Sequence, residues 1–255
     1  MSEPCNRPFY DQNVDYQEML QSRRGDAMWF RHFYDAVLAY SKPESSILDV
    51  GCGTGVTTCH LHQFRPNIRG VDFSNLFIEK ARRYAPFFDV MDMTDLKFPD
   101  NAFDLVCSTD AIEHVAGLER ALGEMRRIVK PGGHIVLQAP NLSCGVLSTN
   151  YKQNVRGVCR RWGRMFGDFW HPALRTIEQH QLDTVAGDRD AYNLISPIWL
   201  RRYFKGNKFQ ICSLTTYATY FKPSPWLQFV FNVAEKLPIT KEIGGRLVLV
   251  VKRLE

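Results

Sequence analysis

Residues 46–55 read SILDVGCGTG, a short apolar run closed by three glycines, Gly51, Gly53 and Gly55. A buried strand running straight into a glycine turn and a helix is how a nucleotide-binding βα unit begins. The fingerprint of a pyrophosphate loop is GxGxxG, whereas this loop reads GxGxG with Asp49 two residues ahead of it. A carboxylate there disfavours two phosphates on the following helix N-terminus and suits an ammonium or sulfonium cation.

The stretch opens a regular alternation. ILDV is a strand, and the glycines with VTTCHLHQF form a turn and helix. IRGVDF is a second strand, followed by the helix SNLFIEKARRYA, for which Ser74 is a plausible N-cap. FFDVMD and FDLVCSTD read as the third and fourth strands. LERALGEMRRIVK is an amphipathic helix that Pro131, Gly132 and Gly133 are expected to stop, and HIVLQAP is the fifth strand. SPIWLRRYFKGNKF (helix), ICSLTTYATY (strand) and RLVLVVKR (final strand) resume the pattern, and residues 15–40 add helical spacing ahead of it. Strands alternating with helices predict an α/β, Rossmann-like doubly wound sheet of about seven strands. It should be mostly parallel with an antiparallel last strand, with helices on both faces and an inserted lid. The expected organisation is one domain. It comprises an N-terminal helical segment (1–43), a cofactor-binding half (44–140), a lid or substrate insertion (141–195) and the C-terminal part of the sheet (196–255).

In such a sheet ligands settle beyond the carboxyl ends of the strands. Asp72 ends the second strand 21 residues after Gly51, where a carboxylate can accept two hydrogen bonds from ribose hydroxyls. Asp92, at the end of the third strand, suits the exocyclic amine of an adenine, with Phe73 or Met93 packing on its face. The ligand is thus an adenosine joined to a cationic, zwitterionic tail without phosphate, a description that S-adenosyl-L-methionine (SAM) fits.

These residues resemble the class I SAM-dependent methyltransferases, and most closely the small-molecule group that includes ubiquinone- and menaquinone-pathway enzymes. The resemblance is carried by ILDVGCGTG (47–55), GVDFS (70–74), VMDMTDLKFPDNAFDLVCSTDAIEHV (90–115) and LERALGEMRRIVKPGGHIVLQAPN (118–141). It implies that Gly51, Gly53 and Gly55 surround the methionyl part and that Asp49 meets its amino group. It further implies Asp72 on the ribose, Asp92 and Met93 on the adenine, and Thr109 and Asp110 beside the methionine moiety. Cys52 becomes a small residue filling the turn. Asp110 and Ala111 stand where the family often carries apolar residues, so that wall is more polar here.

The methyl acceptor is less defined. A hydroxyl acceptor needs a base, for which the candidates are His114 in AIEHV and His171 or His180 in the insertion. His180 stands near Asp183, Asp188 and Asp190, but no recognised metal spacing occurs and no metal is expected. Six Lys/Arg against Asp168 within residues 151–175 equal the whole formal excess of +5, so any polyanion site is local. Within that segment YKQNVRGVCRRWGRMF has an apolar stripe and a basic one, and SPWLQFVFNVAEKL is apolar on more than one side. Together they suggest an amphiphilic or phosphate-bearing acceptor and a peripheral contact with a membrane surface. Nucleic acid is disfavoured, because STDAIEHV stands where base N-methylating enzymes carry [ND]PP[YF]. The alternatives are an RNA or other macromolecule methyltransferase and a SAM-binding partner subunit without catalysis. Seven scattered cysteines without a CxxC pair, and an N-terminus without the marks of a secretory signal, lead to the expectation of a cytoplasmic protein. O-methylation is the expected chemistry.

Overall fold

In the computed structural model, residues 27–141, 192–217 and 245–255 are described, together with 163, 167, 170 and 175–176. Helix α1 (Ala27–Ala39) precedes β1 (Ile47–Val50), α2 (Val56–His62), β2 (Ile68–Asp72), α3 (Asn75–Arg82) and β3 (Phe88–Val90). Then come β4 (Phe103–Thr109), α4 (Leu118–Ile128), β5 (Val129–Pro140), β6 (Arg175–Thr176) and β7 (Asn193–Leu194). The order closes with α5 (Pro197–Gly206), β8 (Phe209–Tyr217) and β9 (Arg246–Arg253).

Seven strands form one sheet in the order β3-β2-β1-β4-β5-β9-β8. The first five are mutually parallel, while β9 runs antiparallel to both β5 and β8. The order reverses beside β1, so the carboxyl ends of β1 and β4 flank the switch point where ligands of such sheets collect. β6 and β7 make a separate antiparallel ribbon.

Each face of the sheet is buried under helices, as a strand reading of period two requires. Along β9, Leu247, Leu249 and Val251 join the core beneath α4 and α5, with Leu122, Met125, Leu200 and Phe204. The alternate residues Val248 and Val250 join the opposite core with Phe33 and Val37 of α1, Leu61 of α2 and Leu105. Helix starts follow their caps: Ser74 Oγ accepts the Phe77 N–H, and Ser196 Oγ accepts the Trp199 N–H ahead of Pro197.

One boundary differs from expectation. α4 ends at Ile128, not at Pro131, and Val129 already has extended geometry (φ −76°, ψ 137°) and pairs with Phe103. The sheet edge offered by β4 takes Val129 as soon as the helix has buried Ile128, so pairing wins over helical propensity before the proline is reached. The expected helix over 15–40 is seen from Ala27 onward. Residues 151–162 and 221–244, and most of the remaining insertion, lie outside the described residues.

Candidate functional site

The glycine loop leaves β1 at the switch point and is shaped by two positions. Gly51 has φ +76°, and a Cβ there would lie 2.4 Å from the Ala111 Cβ and 3.3 Å from Met93 Cε. Gly55, the residue before α2, has φ +79°, and a Cβ would meet Phe88 at 2.6 Å. Both need left-handed geometry and a bare Cα. Around Gly51 the loop, the turn after β3 and the turn after β4 therefore converge. At Gly53 nothing among the described residues stands within 4 Å of a Cβ.

Asp49 is fully buried in β1, beside Gly70 of β2 and Cys107 of β4. Its Oδ2 accepts from Thr57 Oγ1 (3.0 Å) and Thr58 Oγ1 (2.6 Å) in the first turn of α2. Its Oδ1 is buried and has no partner among the described residues. Burial pushes the carboxyl up to about 6, against the lowering effect of the two threonine bonds. The negative charge also reaches Tyr34 of α1, whose phenol is pushed up by burial first and by Asp49 second. Cys52 packs with Ile78, Ala81 and Phe88, and its thiol is pushed up by burial, with Asp72 and Asp49 adding to the effect. It is a small apolar filler, not a nucleophile.

At the end of β2, Asp72 braces the loop. Its Oδ2 accepts the Gly53 N–H and its Oδ1 the Ser74 N–H, both at 2.9 Å. Phe73 follows half-buried. Asp92 lies two residues past β3, exposed, with Oδ1 accepting the backbone N–H and hydroxyl of Thr94 at 2.8 Å each. Met93 returns toward the loop at Gly51.

β4 ends at Thr109, and Asp110 turns with φ +52°, a geometry unusual for a residue with a side chain. Asp110 is ion-paired with Arg246, the first residue of β9, so its charge is balanced from two strands away, across β5. The segment that follows is stapled from β7: Asn193 Nδ2 donates to Ile112 O (3.1 Å) and Val115 O (2.7 Å). The Tyr192 and Asn193 N–H groups both reach Glu113 O. On this stapled turn the His114 imidazole, nearly buried, sits 3.6 Å from the buried Glu113 carboxylate. His180, the other base candidate, and His171 lie outside the described residues.

Sequence reading missed the residues that hold these groups. Thr57 and Thr58 were legible in retrospect, since a helix starting directly after the glycines lays its first turn over β1. Asn193 and Arg246 come from distant elements and carry no local signal. Among the described residues no cluster of His, Cys, Asp and Glu could hold a metal ion, and no helix is long and apolar enough to cross a membrane.

Comparison with known proteins agrees with this architecture. Residues 48–137 match the family described as a methyltransferase domain. Demethylmenaquinone methyltransferase of Symbiobacterium thermophilum is 35% identical over 136 residues, covering 49% of this chain and 53% of that enzyme. Norajmaline N-methyltransferase of Rauvolfia serpentina is 34% identical over 121 residues, covering 44% and 40% respectively. The chain thus spans about half the length of the curated relatives it matches. A SAM-dependent methyltransferase structure from Mesorhizobium loti superposes with a TM-score of 0.60 over 88% of this chain and 97% of that one, at 16% identity, which shows the shared fold. The cofactor of this class is S-adenosyl-L-methionine, and the residues present fit it. Among the described residues a buried carboxylate oxygen lacks a partner under the loop, nothing crowds Gly53, and no basic side chain shapes the loop.

Proposed function

Residues 48–137 form a class I, SAM-dependent methyltransferase domain, and from that premise we propose that the protein transfers a methyl group to the oxygen of a small-molecule acceptor. The observation that carries the methyl-donor part of the reading is Asp49, a buried carboxylate with one oxygen tied to α2 and the other unpartnered among the described residues. A buried unpaired acceptor is costly, and a positively charged amino group relieves that cost where a phosphate would add to it.

SAM supplies an already activated methyl group, so the work of the chain is to bind, orient and dehydrate. In this reading Asp49 takes the amino group and Gly51, Gly53 and Gly55 let the backbone close around the tail. Asp72 takes the ribose: each carboxylate oxygen has two lone pairs, so an oxygen bonded to one backbone N–H can also accept from a hydroxyl. Asp92, Met93 and Phe73 frame the adenine, and Thr109 and Asp110 line the methionyl side. Cys52 fills the turn.

His114 is the proposed base. Its support is position: it follows β4 on a turn stapled by Asn193, and Glu113 at 3.6 Å can hold the ring's orientation. His180 is the second candidate. The relatives named above include a quinone-precursor enzyme and an N-methyltransferase, so the receiving atom varies among them. The basic and apolar stretches at 151–175 and 224–237 support an acceptor that is amphiphilic or bears phosphate, met at a membrane surface.

Methyl transfer from labelled SAM across sugars, quinols, lipid-linked glycans, amines and RNA tests the proposal. Label in a hydroxyl-bearing small molecule, lost on His114→Gln with SAM affinity retained, is expected. Label only in amines or RNA would overturn the acceptor assignment, and no S-adenosylhomocysteine binding would overturn the whole reading.

A further inference from the structure

A polar chain crosses the apolar face beneath α1. Tyr217 Oη, at the end of β8, donates to Gln138 Oε1 at 2.9 Å, and Gln138 Nε2 donates to Thr109 Oγ1 at 3.0 Å. All three side chains are buried, Gln138 completely. Around them stand Leu105, Cys107, Val136, Val248 and Val250, none of which offers a side-chain hydrogen bond of comparable strength.

The direction of the chain follows from the orientation of the Gln138 amide, whose Oε1 faces Tyr217 and whose Nε2 faces Thr109. Burial pushes the Tyr217 phenol well up, so it stays a neutral donor across the working range of pH. The Gln138 amide has one acceptor oxygen, and Tyr217 takes it, so the NH₂ group must face Thr109. Thr109 Oγ1 therefore accepts, and its own proton points elsewhere. Among the described residues Gln138 is the one hydrogen-bond partner of that oxygen.

The register shows where Thr109 stands. Asp49 pairs with Cys107 across β1 and β4, so Thr109, two residues on, shares the face of Asp49 and lies level with Gly51. Asp49 offers an acceptor at this end of the sheet and Thr109 a donor on the neighbouring strand. Arg246, which meets Asp110 just past Thr109, is already engaged in that ion pair. An amino-acid tail carries one group that needs an acceptor and one that needs a donor. Its ammonium and the sulfonium centre cannot accept a hydrogen bond, so a donor hydroxyl has only the carboxylate to meet.

We propose that Tyr217 and Gln138 are positioning residues that present the Thr109 hydroxyl as a donor to the carboxylate of the methionyl tail, opposite the amino group held by Asp49. The inference rests on the reading of this site as a SAM site and goes beyond it, because it assigns a role to a residue of β8 that touches no ligand.

Calorimetry with two probes separates the roles. S-adenosylhomocysteine has the amino-acid tail, whereas 5′-methylthioadenosine is the same thionucleoside without it. Thr109→Val should weaken S-adenosylhomocysteine by roughly ten- to hundredfold, the scale of a lost hydrogen bond to a charged group, and leave methylthioadenosine unchanged. Thr109→Ser should restore binding. Tyr217→Phe keeps the ring and its 4.5 Å contact with His32, and should show the same selective loss at roughly three- to tenfold. Equal weakening of both probes, or no change in either variant, would overturn the proposal. A wild-type protein that binds neither probe would instead overturn the SAM reading on which it stands.

Discussion

Asp49 and Thr58 are joined by a 2.6 Å hydrogen bond that anchors one carboxylate oxygen to the first turn of α2 and leaves the other buried without a partner among the described residues. The strand end and the helix start are thereby locked together around the glycine loop, and the loop's electrostatics are set before any ligand arrives.

A pH dependence follows from that burial. The folded Asp49 carboxyl titrates near 6, above its ordinary 3.8, so the folded state binds the proton more tightly than the unfolded chain. Its contribution to stability is therefore greatest in acid, declines as the pH rises from about 4 to about 6, and is level above. Ligand affinity runs the opposite way, since a cationic amino group needs the ionised form. Calorimetry with S-adenosylhomocysteine should show affinity climbing through about pH 6 to a plateau. Asp49→Asn should flatten that profile and lower the plateau roughly ten- to hundredfold.

Two glycines with similar φ should respond differently to alanine. Gly51→Ala meets Ala111 at 2.4 Å, whereas Gly132, with φ +80°, has nothing within 4 Å of a Cβ. Gly132→Ala should cost about 1 kcal/mol from backbone strain alone. Gly51→Ala should cost about 2 kcal/mol or more in urea unfolding and lose S-adenosylhomocysteine binding as well. Equal costs with binding intact would remove the special role of Gly51.

The turn after β4 depends on a distant amide. Asn193→Ala removes both donors to Ile112 O and Val115 O, a loss of about 1–3 kcal/mol in stability. Because the turn carries His114, kcat for methyl transfer should fall further than affinity for S-adenosylhomocysteine. A variant that loses both in step would place Asn193 in the cofactor framework instead.

The Asp110–Arg246 pair is testable by a double-mutant cycle. Arg246→Met alone leaves the Asp110 charge without its partner and should cost about 1–3 kcal/mol. Combining it with Asp110→Asn should recover part of that cost, measured by thermal or urea unfolding. Strict additivity would mean that the two residues are not energetically linked.

Local chemistry made much of the fold legible. SILDVGCGTG announced its strand, turn and helix because the apolar run is short and the glycines follow at once, and Ser74 announced its helix through a cap that lies within three residues. The end of α4 was misread because Pro131 is a local stop signal, whereas Val129 is captured by pairing with Phe103, 26 residues away in sequence. The same limit applies to the site. Strand-end acids are visible from spacing, but Gln138, Asn193, Tyr217 and Arg246 reach it through tertiary contacts that no window of sequence contains. The stretches 151–162 and 221–244 and His180 lie outside the described residues, so the expectations for them stand on composition alone.

β9 is the last strand in sequence, yet it is inserted between β5 and β8 and not added at an edge. During vectorial synthesis β5 therefore emerges long before residues 246–253, and its outer backbone groups wait without a partner strand. Until Arg246 arrives, Asp110 lacks its counter-ion and β8 has no neighbour in the sheet. The glycine loop can form early on the ribosome, but the Asp110–Arg246 corner beside it is assembled only when this late strand slides into place. Premature termination upstream of residue 246 should therefore yield a chain with a formed loop, an open sheet edge and a tendency to self-associate.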